Sequence, residues 1–224
     1  VIGAVNDASD DRDVMVCAAG SLPGDLHKLW RTRDPKQYHL EYGNSCMGYE
    51  IAGGLGIKMA DPSREVYVMV GDGSYLMLAQ EIMTSVQEEY KLTVVLLDNR
   101  GHASIGGLSE AVGAEGFGTK FRMRNGQTGQ LDGGNIPTDL AAKAESLGAI
   151  VLKPEGKEGL TNALAEAKTN DRTTVVFVEV DREQRVSGYE SWWDVPIAEV
   201  STDPEVQAIR TQYEEAVKNE RHYT

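Results

Sequence analysis

The sequence predicts a doubly wound α/β fold, in which a mostly parallel sheet of about six strands carries helices on both faces. Short Val-rich runs recur without alternating polar residues, which is typical of strands buried on both faces, at 14–18, 66–70, 92–97, 149–152 and 174–180, with a weaker run at 37–40. Helical patterns lie between these runs, at about 22–33, 47–60, 75–90, 138–147 and 157–168. This regular alternation favours parallel strands that are joined by helices.

The chain has 224 residues, which is enough for a sizeable core, and its charge balance is strongly acidic. It contains 22 Lys and Arg residues against 35 Asp and Glu residues, which gives a formal net charge of −13. This charge disfavours nucleic acid and anionic membranes as partners, because the sequence has no basic patch to offset it. A phosphorylated ligand would be repelled too, so its site must be built locally from a metal ion and backbone N–H groups.

Cysteine usage and hydropathy bear on the compartment. Cys17 and Cys46 each lie in an apolar stretch, which argues against a disulfide framework of the secreted kind. No apolar run approaches the length of a membrane span, and the N-terminal residues lack the pattern of a signal peptide. We therefore expect a soluble, cytoplasmic protein.

The chain divides into three predicted segments. Residues 1–13 include a polar stretch that looks like the remnant of a linker, so we expect a fragment of something longer. Residues 14–185 form the α/β domain, and residues 186–224 form a C-terminal extension. The extension ends in a predicted docking helix, which has a start signal at Asp203 and Pro204 and an apolar stripe at Val206, Ile209, Tyr213 and Val217.

A glycine-rich segment runs from Gly101 to Asn135 with little periodicity. Loops of this length inside compact domains are usually functional or disordered. Its position directly after a predicted strand favours an active-site lid over a plain flexible loop.

Polar residues follow two neighbouring strands of the predicted sheet. One strand runs into Gly71-Asp72-Gly73-Ser74, and the next ends before Asn99 and Gly101. Because the helix between these strands returns the chain, parallel geometry places Asp72 and Asn99 side by side at one sheet edge. The glycines let the backbone approach a phosphate, but the Asp72 carboxylate would repel that phosphate unless a cation bridged them. Mg²⁺ prefers hard oxygen ligands, so we expect Asp72, Asn99 and a backbone carbonyl near Gly101 to hold it together with diphosphate oxygens and water.

A purely structural turn and a nucleotide-binding loop are the alternatives for these motifs. Gly-Asp-Gly alone is a common turn, but the strand before it, the helix after it and Asn99 argue against a purely structural role. The chain lacks the Gly-x-x-x-x-Gly-Lys-Ser/Thr pattern of nucleotide-binding loops, and Gly54-Leu55-Gly56 lies within a helical stretch rather than after a strand. A nucleotide site is therefore disfavoured.

Together these residues resemble the thiamine-diphosphate enzyme family, in which Gly-Asp-Gly is followed at a similar interval by Asn. The segment around Met47 is similar to the family segment in which a bulky apolar residue props the cofactor into a bent V shape. The resemblance implies that backbone groups of Ser45 and Met47 face the aminopyrimidine ring. It also implies diphosphate contacts from the two turns that contain Ser21, Leu22, Gly71, Asp72, Gly73 and Ser74. Asp98 departs from the Asn that many members carry, but the expected metal ligand Asn99 is kept.

Further segments resemble the branch of this family that hydrolyses a C–C bond in a cyclic polyhydroxy diketone and yields 5-deoxy-glucuronate in inositol catabolism. These segments are 18–26, 39–43, 115–119 and 187–193. The resemblance implies thiamine diphosphate and Mg²⁺ as cofactors. It also implies an N-terminal pyrimidine-binding domain, from the same or a neighbouring subunit, which supplies an activating glutamate. The whole protein is then at least a homodimer, and the isolated chain is expected to be inactive.

Two histidines are candidates for contact with substrate. His39 and His102 each follow a predicted strand, whereas His27 and His222 look like helix-surface residues. Two further functions stay open. One keeps the cofactor but is an acetolactate-synthase-like reaction or the decarboxylation of a 2-keto acid. The other is a non-catalytic cofactor-binding module.

Overall fold

The computed structural model describes residues 1–188 and 194–221, which form two compact units. The first comprises Val1–Gly101 and Ile136–Arg182, and the second comprises His102–Asn135 and the described part of Glu183–Thr224. The strands are β1 Val14–Cys17, β2 Tyr38–Leu40, β3 Val66–Gly71, β4 Thr93–Asp98, β5 Ile150–Leu152 and β6 Thr174–Glu179. The helices are α1 Ile2–Ala8, α2 Leu22–Leu29, α3 Tyr49–Ala60, α4 Asp72–Met77, α5 Glu81–Gln87, α6 Ala103–Ala111, α7 Leu140–Ser146, α8 Gly156–Thr169 and α9 Pro204–Val217.

The first unit is built on one six-stranded sheet in the order β2-β1-β3-β4-β6-β5, and every strand pair is parallel. This confirms the predicted fold class and strand number. The chain runs from β1 to β2 in one direction and then returns to place β3 on the other side of β1. In open α/β sheets, such a reversal leaves a crevice at the carboxyl ends of the two strands, where ligands bind.

Alternate residues of the strands enter two separate cores. On β1, Val14 and Val16 pack into a core with α3, α4, α5 and α7, whereas Met15 and Cys17 pack on the other face with α1, α2 and α8. All four β1 side chains are buried. Both faces of the sheet are therefore covered by helices, which explains why the strand sequences lack polar alternation.

The predicted linker segment 1–13 contains a helix instead. Ile2 and Val5 of α1 are buried and belong to the core that also contains residues of α8. Their spacing places both on one side of a helix, which forms although the residues that follow are polar. Residues 9–13, after this helix, belong to no helix or strand. The domain roles assigned to 1–13, 14–185 and 186–224 stay predictions.

Two further stretches have helices that differ from the predicted pattern. The stretch 75–90 is divided into α4 and α5, because Leu78 adopts an extended backbone with φ −151° and ψ 73°. The glycine-rich segment predicted as a lid contains α6, although Gly106 and Gly107 lie within that helix. Its role as a lid stays a prediction.

The second unit contains α6 and α9. Gly113, at φ 84°, lies against α9 so closely that an added Cβ would come 3.0 Å from the Cα of Val206. Val206 is the buried member of the predicted apolar stripe. Residues 189–193, which carry part of the family resemblance, and His222 lie outside the described residues. None of the helices among the described residues is long and apolar enough to cross a membrane.

Candidate functional site

Asp72 connects the turn after β3 to the turn after β4. The register of these strands places Gly71 opposite Leu97, so Asp72 lies just beyond the last strand pair at the carboxyl edge of the sheet. Its side chain is buried, with Oδ1 accepting from the N–H of Gly73 at 2.7 Å and Oδ2 accepting from the N–H of Gly101 at 2.9 Å. The structure therefore brings Asp72 to Gly101, one of its predicted metal-binding partners.

A second carboxyl group lies against Asp72. Burial, followed by a hydrogen bond with Asp98, raises the pKa of Asp72 to about 7, while the N–H groups of Gly101 and Gly73 act in the opposite direction. Asp98 also accepts from the N–H of Arg100 at 2.9 Å, and the Arg100 guanidinium is paired with Glu179 at 2.9 Å. Two carboxyl groups in contact repel each other when both are ionised, and a divalent cation at this point would remove that repulsion.

Asn99 offers an oxygen that has no partner. Its Oδ1 is buried and accepts no hydrogen bond from the described residues. A buried polar atom left in this state costs about 1–3 kcal/mol unless something else satisfies it. Carboxylate and amide oxygens are the ligands that Mg²⁺ prefers, so the residues present fit this ion.

The donor set around Asp72 is small. Among the residues that the structure describes, no group of three or more His, Cys, Asp and Glu side chains could hold a metal ion. A Mg²⁺ ion at Asp72 would therefore depend on amide and backbone oxygens, and on oxygens of the ligand itself. Such sparse protein coordination is typical of Mg²⁺ bound with phosphates.

Ser21 and Leu22 lie at the carboxyl end of β1, next to β3. Ser21 is exposed and precedes α2, and its side chain makes no capping hydrogen bond to that helix. Gly20 has φ 90°, a conformation that favours glycine, and this turns the chain sharply between strand and helix. The hydroxyl and the N–H groups of Leu22 and Gly24 thus remain available at the sheet edge predicted to hold the diphosphate.

The Met47 turn has a constrained backbone. Ser45 has φ 51° and Gly48 has φ 94°, and a Cβ at Gly48 would approach the Cβ of Leu78 to 3.0 Å. Glu41 stabilises the turn, since its Oε2 accepts from the N–H of Cys46 at 2.9 Å. Positive φ at a non-glycine residue is unfavourable and tends to occur at functional sites. Met47 itself is half-buried.

Glu50 was not predicted as a site residue. It is fully buried, and its Oε1 and Oε2 accept from the N–H groups of Ala19 at 3.2 Å and Gly48 at 3.0 Å. Burial raises the pKa of Glu50, and hydrogen bonds that include one with the side chain of Ser74 oppose that rise. A glutamate three residues after Met47 carries no signal in one sequence, because its partners become neighbours only in the fold.

The two candidate histidines lie in different units. His39 is half-buried at the edge strand β2, with Nε2 2.7 Å from the hydroxyl of Tyr49 and the two rings stacked at 5.8 Å. His102 begins the second unit, where its ring packs edge-on against Phe121 at 5.3 Å. Contact of either histidine with substrate stays a prediction.

The comparisons with known proteins identify the family. Residues 18–180 match the family model described as thiamine pyrophosphate enzyme, C-terminal TPP binding domain. The chain belongs to this family. The matched residues include every predicted cofactor-binding residue, from Ser21 to Gly101, and every strand of the sheet except β1.

Curated members of the family share much of this sequence. Proteins named 3D-(3,5/4)-trihydroxycyclohexane-1,2-dione hydrolase from Bacillus cereus (strain AH820), Bacillus thuringiensis (strain Al Hakam) and Bacillus anthracis are each 48% identical to it over 219 residues. Each match covers 98% of this chain but 34% of the relative, so the chain spans about a third of the length of these relatives.

One solved structure has a similar fold. It is described as a Rhodococcus jostii RHA1 thiamine diphosphate-dependent 4-hydroxybenzoylformate decarboxylase, and it matches with a TM-score of 0.66. The match covers 80% of this chain and 32% of that chain at 19% sequence identity. At this identity the likeness concerns the fold alone, so it does not favour decarboxylation over other reactions.

Proposed function

We propose that this chain is the cofactor-binding C-terminal part of a thiamine-diphosphate- and Mg²⁺-dependent hydrolase that opens the ring of a trihydroxycyclohexane-1,2-dione in inositol catabolism. The observation that carries this proposal is the 48% identity over 98% of the chain to hydrolases named for that substrate. Membership of the thiamine pyrophosphate family supports the cofactor. The specific substrate depends on the named relatives, because the parallel sheet alone is compatible with many reactions.

Asp72, Asn99 and Gly101 are the proposed Mg²⁺ ligands. Two observations support this role. A cation would remove the repulsion between the carboxyl groups of Asp72 and Asp98, and it would give the unpartnered Oδ1 of Asn99 a partner. Gly71, Gly73 and Ser74 would hold the diphosphate on one side. Ser21 and Leu22 approach its distal oxygens from the neighbouring turn, where the Ser21 hydroxyl makes no capping bond.

The remaining residues orient the reacting parts. When bound, thiamine diphosphate supplies a nucleophilic carbon that can add to a carbonyl and hold the electrons of a broken C–C bond. Met47 would support the cofactor, and backbone groups of Ser45 and Met47 would meet its aminopyrimidine ring. His39, whose Nε2 is bonded to Tyr49, and His102 are proposed to contact the polyhydroxy substrate, where a hydrogen-bonded imidazole can exchange a proton with a hydroxyl group.

An N-terminal pyrimidine-binding domain is the proposed partner, from the same or a neighbouring subunit of a homo-oligomer. The relatives have about twice as much sequence outside the match as inside it, because this chain corresponds to 34% of their length. Leu76, Met77 and Met83, on α4 and α5, are 39%, 55% and 59% exposed and offer an apolar surface for such a domain. Cys17 and Cys46 are free, which supports a cytoplasmic location.

The test is a substrate screen with the full-length gene product, thiamine diphosphate and Mg²⁺. We expect mass spectrometry to detect the addition of one water to the cyclic dione, with loss of the ring, and no comparable turnover of a panel of 2-keto acids. Release of carbon dioxide from a 2-keto acid, or formation of an acetohydroxy acid, without ring opening would favour the decarboxylase or synthase alternative. Cofactor binding without turnover of any of these compounds would favour a non-catalytic module.

A further inference from the structure

Glu50 lies among three turns at the carboxyl edge of the sheet and is hydrogen-bonded to two of them. Ala19 belongs to the turn after β1, Gly48 precedes α3, and Ser74 lies in α4 directly after the Gly71-Asp72-Gly73 turn. The carboxylate of Glu50 accepts from the N–H groups of Ala19 and Gly48, and the bond from Ala19 spans 31 residues of sequence. The Ser74 side chain is near enough to lower the pKa of Glu50. Each of the three turns contains a residue that we propose to contact the cofactor.

The surroundings of Glu50 contain donors rather than cations. Burial raises the pKa of Glu50, whereas backbone N–H groups and the Ser74 side chain lower it. No Lys or Arg from the described residues contributes to this shift. A buried carboxylate is unfavourable unless hydrogen bonds replace its hydration. An apolar residue here would leave the N–H groups of Ala19 and Gly48 without this acceptor, so the carboxylate holds the two turns that carry them.

We propose that Glu50 is a positioning residue, which fixes the spacing of the Ser21, Met47 and Ser74 turns and so pre-organises the thiamine diphosphate site before the cofactor arrives. This inference rests on the proposed cofactor function of the same site. Pre-organised turns bind a ligand more tightly because less ordering is needed when the ligand binds. The residue acts through the turns, and the carboxylate itself is fully buried.

The alternative is that Glu50 only caps α3. A glutamate near a helix start can accept a hydrogen bond from a nearby N–H, and glutamine serves equally well in that role. The observed geometry needs more than glutamine can provide, because both carboxylate oxygens accept from N–H groups. Glutamine has one acceptor oxygen, and its NH₂ group would face one of the two N–H donors. The Glu50→Gln substitution therefore separates capping from positioning.

The experiment uses the full-length gene product with Glu50→Gln, Glu50→Ala and the control Ser85→Ala. Ser85 is buried at the other end of the sheet, where its hydroxyl forms a hydrogen bond with that of Thr173 at 2.8 Å. Removal of this hydroxyl tests whether general destabilisation alone weakens cofactor binding. Calorimetry with thiamine diphosphate and Mg²⁺ should show an affinity that is about 10–100-fold weaker for Glu50→Gln than for the unmodified protein. Ser85→Ala should bind within about twofold of it.

Hydrogen exchange of the cofactor-free proteins gives a second readout. Peptides that contain Ala19 or Gly48 should exchange faster in Glu50→Gln, while Ser85→Ala should leave them unchanged and affect peptides around Thr173. If Glu50→Ala does not fold, Glu50→Gln alone decides the question. Cofactor affinity and exchange in Glu50→Gln that match the unmodified protein would overturn the inference and leave the proposed function standing. An equal loss of affinity in Ser85→Ala would also overturn it. If the unmodified protein did not bind thiamine diphosphate, both proposals would fall.

Discussion

Asp72 is held in an environment that disfavours its charged form when no cation is present. Its folded-state pKa is raised from 3.8 to about 7, chiefly by burial and then by Asp98. Between these two values the folded protein keeps a proton that the unfolded chain has released. Stability therefore falls as the pH rises through this window, and the loss is complete above the folded-state pKa.

Asp72→Asn should remove both this pH-dependent loss of stability and the proposed metal site. In the cofactor-free, full-length protein we expect the thermal midpoint of the variant to match the unmodified protein near pH 4. At pH 8 the thermal midpoint of the variant should exceed that of the unmodified protein by roughly 1–4 °C. Differential scanning calorimetry across this range measures the difference, and Asp171→Asn, at an exposed carboxylate, is the matched control. A difference in thermal midpoint between the variant and the unmodified protein that did not change with pH would argue against the raised pKa of Asp72.

Asn99 permits function to be separated from stability. Because its Oδ1 has no hydrogen-bond partner among the described residues, Asn99→Ala removes no bond to that oxygen and should not lower the free energy of unfolding by more than about 1 kcal/mol. The same change should weaken Mg²⁺-dependent binding of thiamine diphosphate about 10–100-fold. Denaturant unfolding and calorimetric titration measure the two effects. Equal binding by variant and parent would remove Asn99 from the site.

At the level of single residues, the sequence predicted those positions that follow directly from where the strands end. Asp72 and Gly101 follow neighbouring parallel strands, so their proximity could be inferred from the alternating pattern, and the structure brings them into contact. Glu41 and Glu50 were not predicted as site residues. Their importance depends on which N–H groups they reach, and for Glu50 one of these lies 31 residues away. A single sequence does not reveal such a pairing.

Among the elements, α3 packs very closely on β3. A Cβ added at Gly54 would approach the Cγ2 of Val68 to 2.4 Å, whereas Gly56 in the same helix has no atom within 4 Å of that position. α3 also carries Glu50 near its start and follows the Met47 turn. Displacement of this helix should therefore affect both stability and the cofactor site.

Gly54→Ala should destabilise the protein by about 1–3 kcal/mol through overpacking, and it should weaken cofactor binding as α3 shifts. Gly56→Ala, the control, should be neutral or stabilising by up to about 1 kcal/mol, because alanine replaces glycine in an exposed helical position. Chemical denaturation compares the two variants. Similar stabilities would contradict the close packing of α3 on β3.

The accuracy of the element predictions follows from burial. All six strands were predicted to within one residue at each end, because side chains buried on both faces leave a clear apolar run. Helix α1 was missed because only Ile2 and Val5 mark its buried side, and α6 was missed because of its two glycines. The break between α4 and α5 depends on the backbone of Leu78, which the helical pattern does not indicate.

For the whole molecule, cofactor retention depends on local interactions that act against an unfavourable global charge. A net charge of −13 repels a diphosphate, so in the proposed site affinity depends on the proposed metal ion and on the turns that surround it. Removal of Mg²⁺ by a chelator should therefore abolish thiamine diphosphate binding. Raising the ionic strength should weaken binding much less, because buried interactions are poorly screened. Calorimetry with and without the chelator tests this dependence.

The 224-residue chain alone should not turn over the dione even when supplied with cofactor and Mg²⁺, because the proposed activating glutamate belongs to another domain. The full-length gene product should be active under the same conditions. Stopped assays with purified proteins at equal concentration make the comparison. Turnover by the 224-residue chain would show that the catalytic groups all lie within it.

The most direct test of a shared cation between Asp72 and Asn99 is a crystal structure of the full-length protein with thiamine diphosphate and Mn²⁺, recorded at a wavelength where manganese scatters anomalously. We expect one anomalous peak about 2.0–2.3 Å from a carboxylate oxygen of Asp72 and from Oδ1 of Asn99, with diphosphate oxygens completing the coordination. A manganese peak elsewhere, or one that contacts neither side chain while the cofactor is bound, would contradict the account.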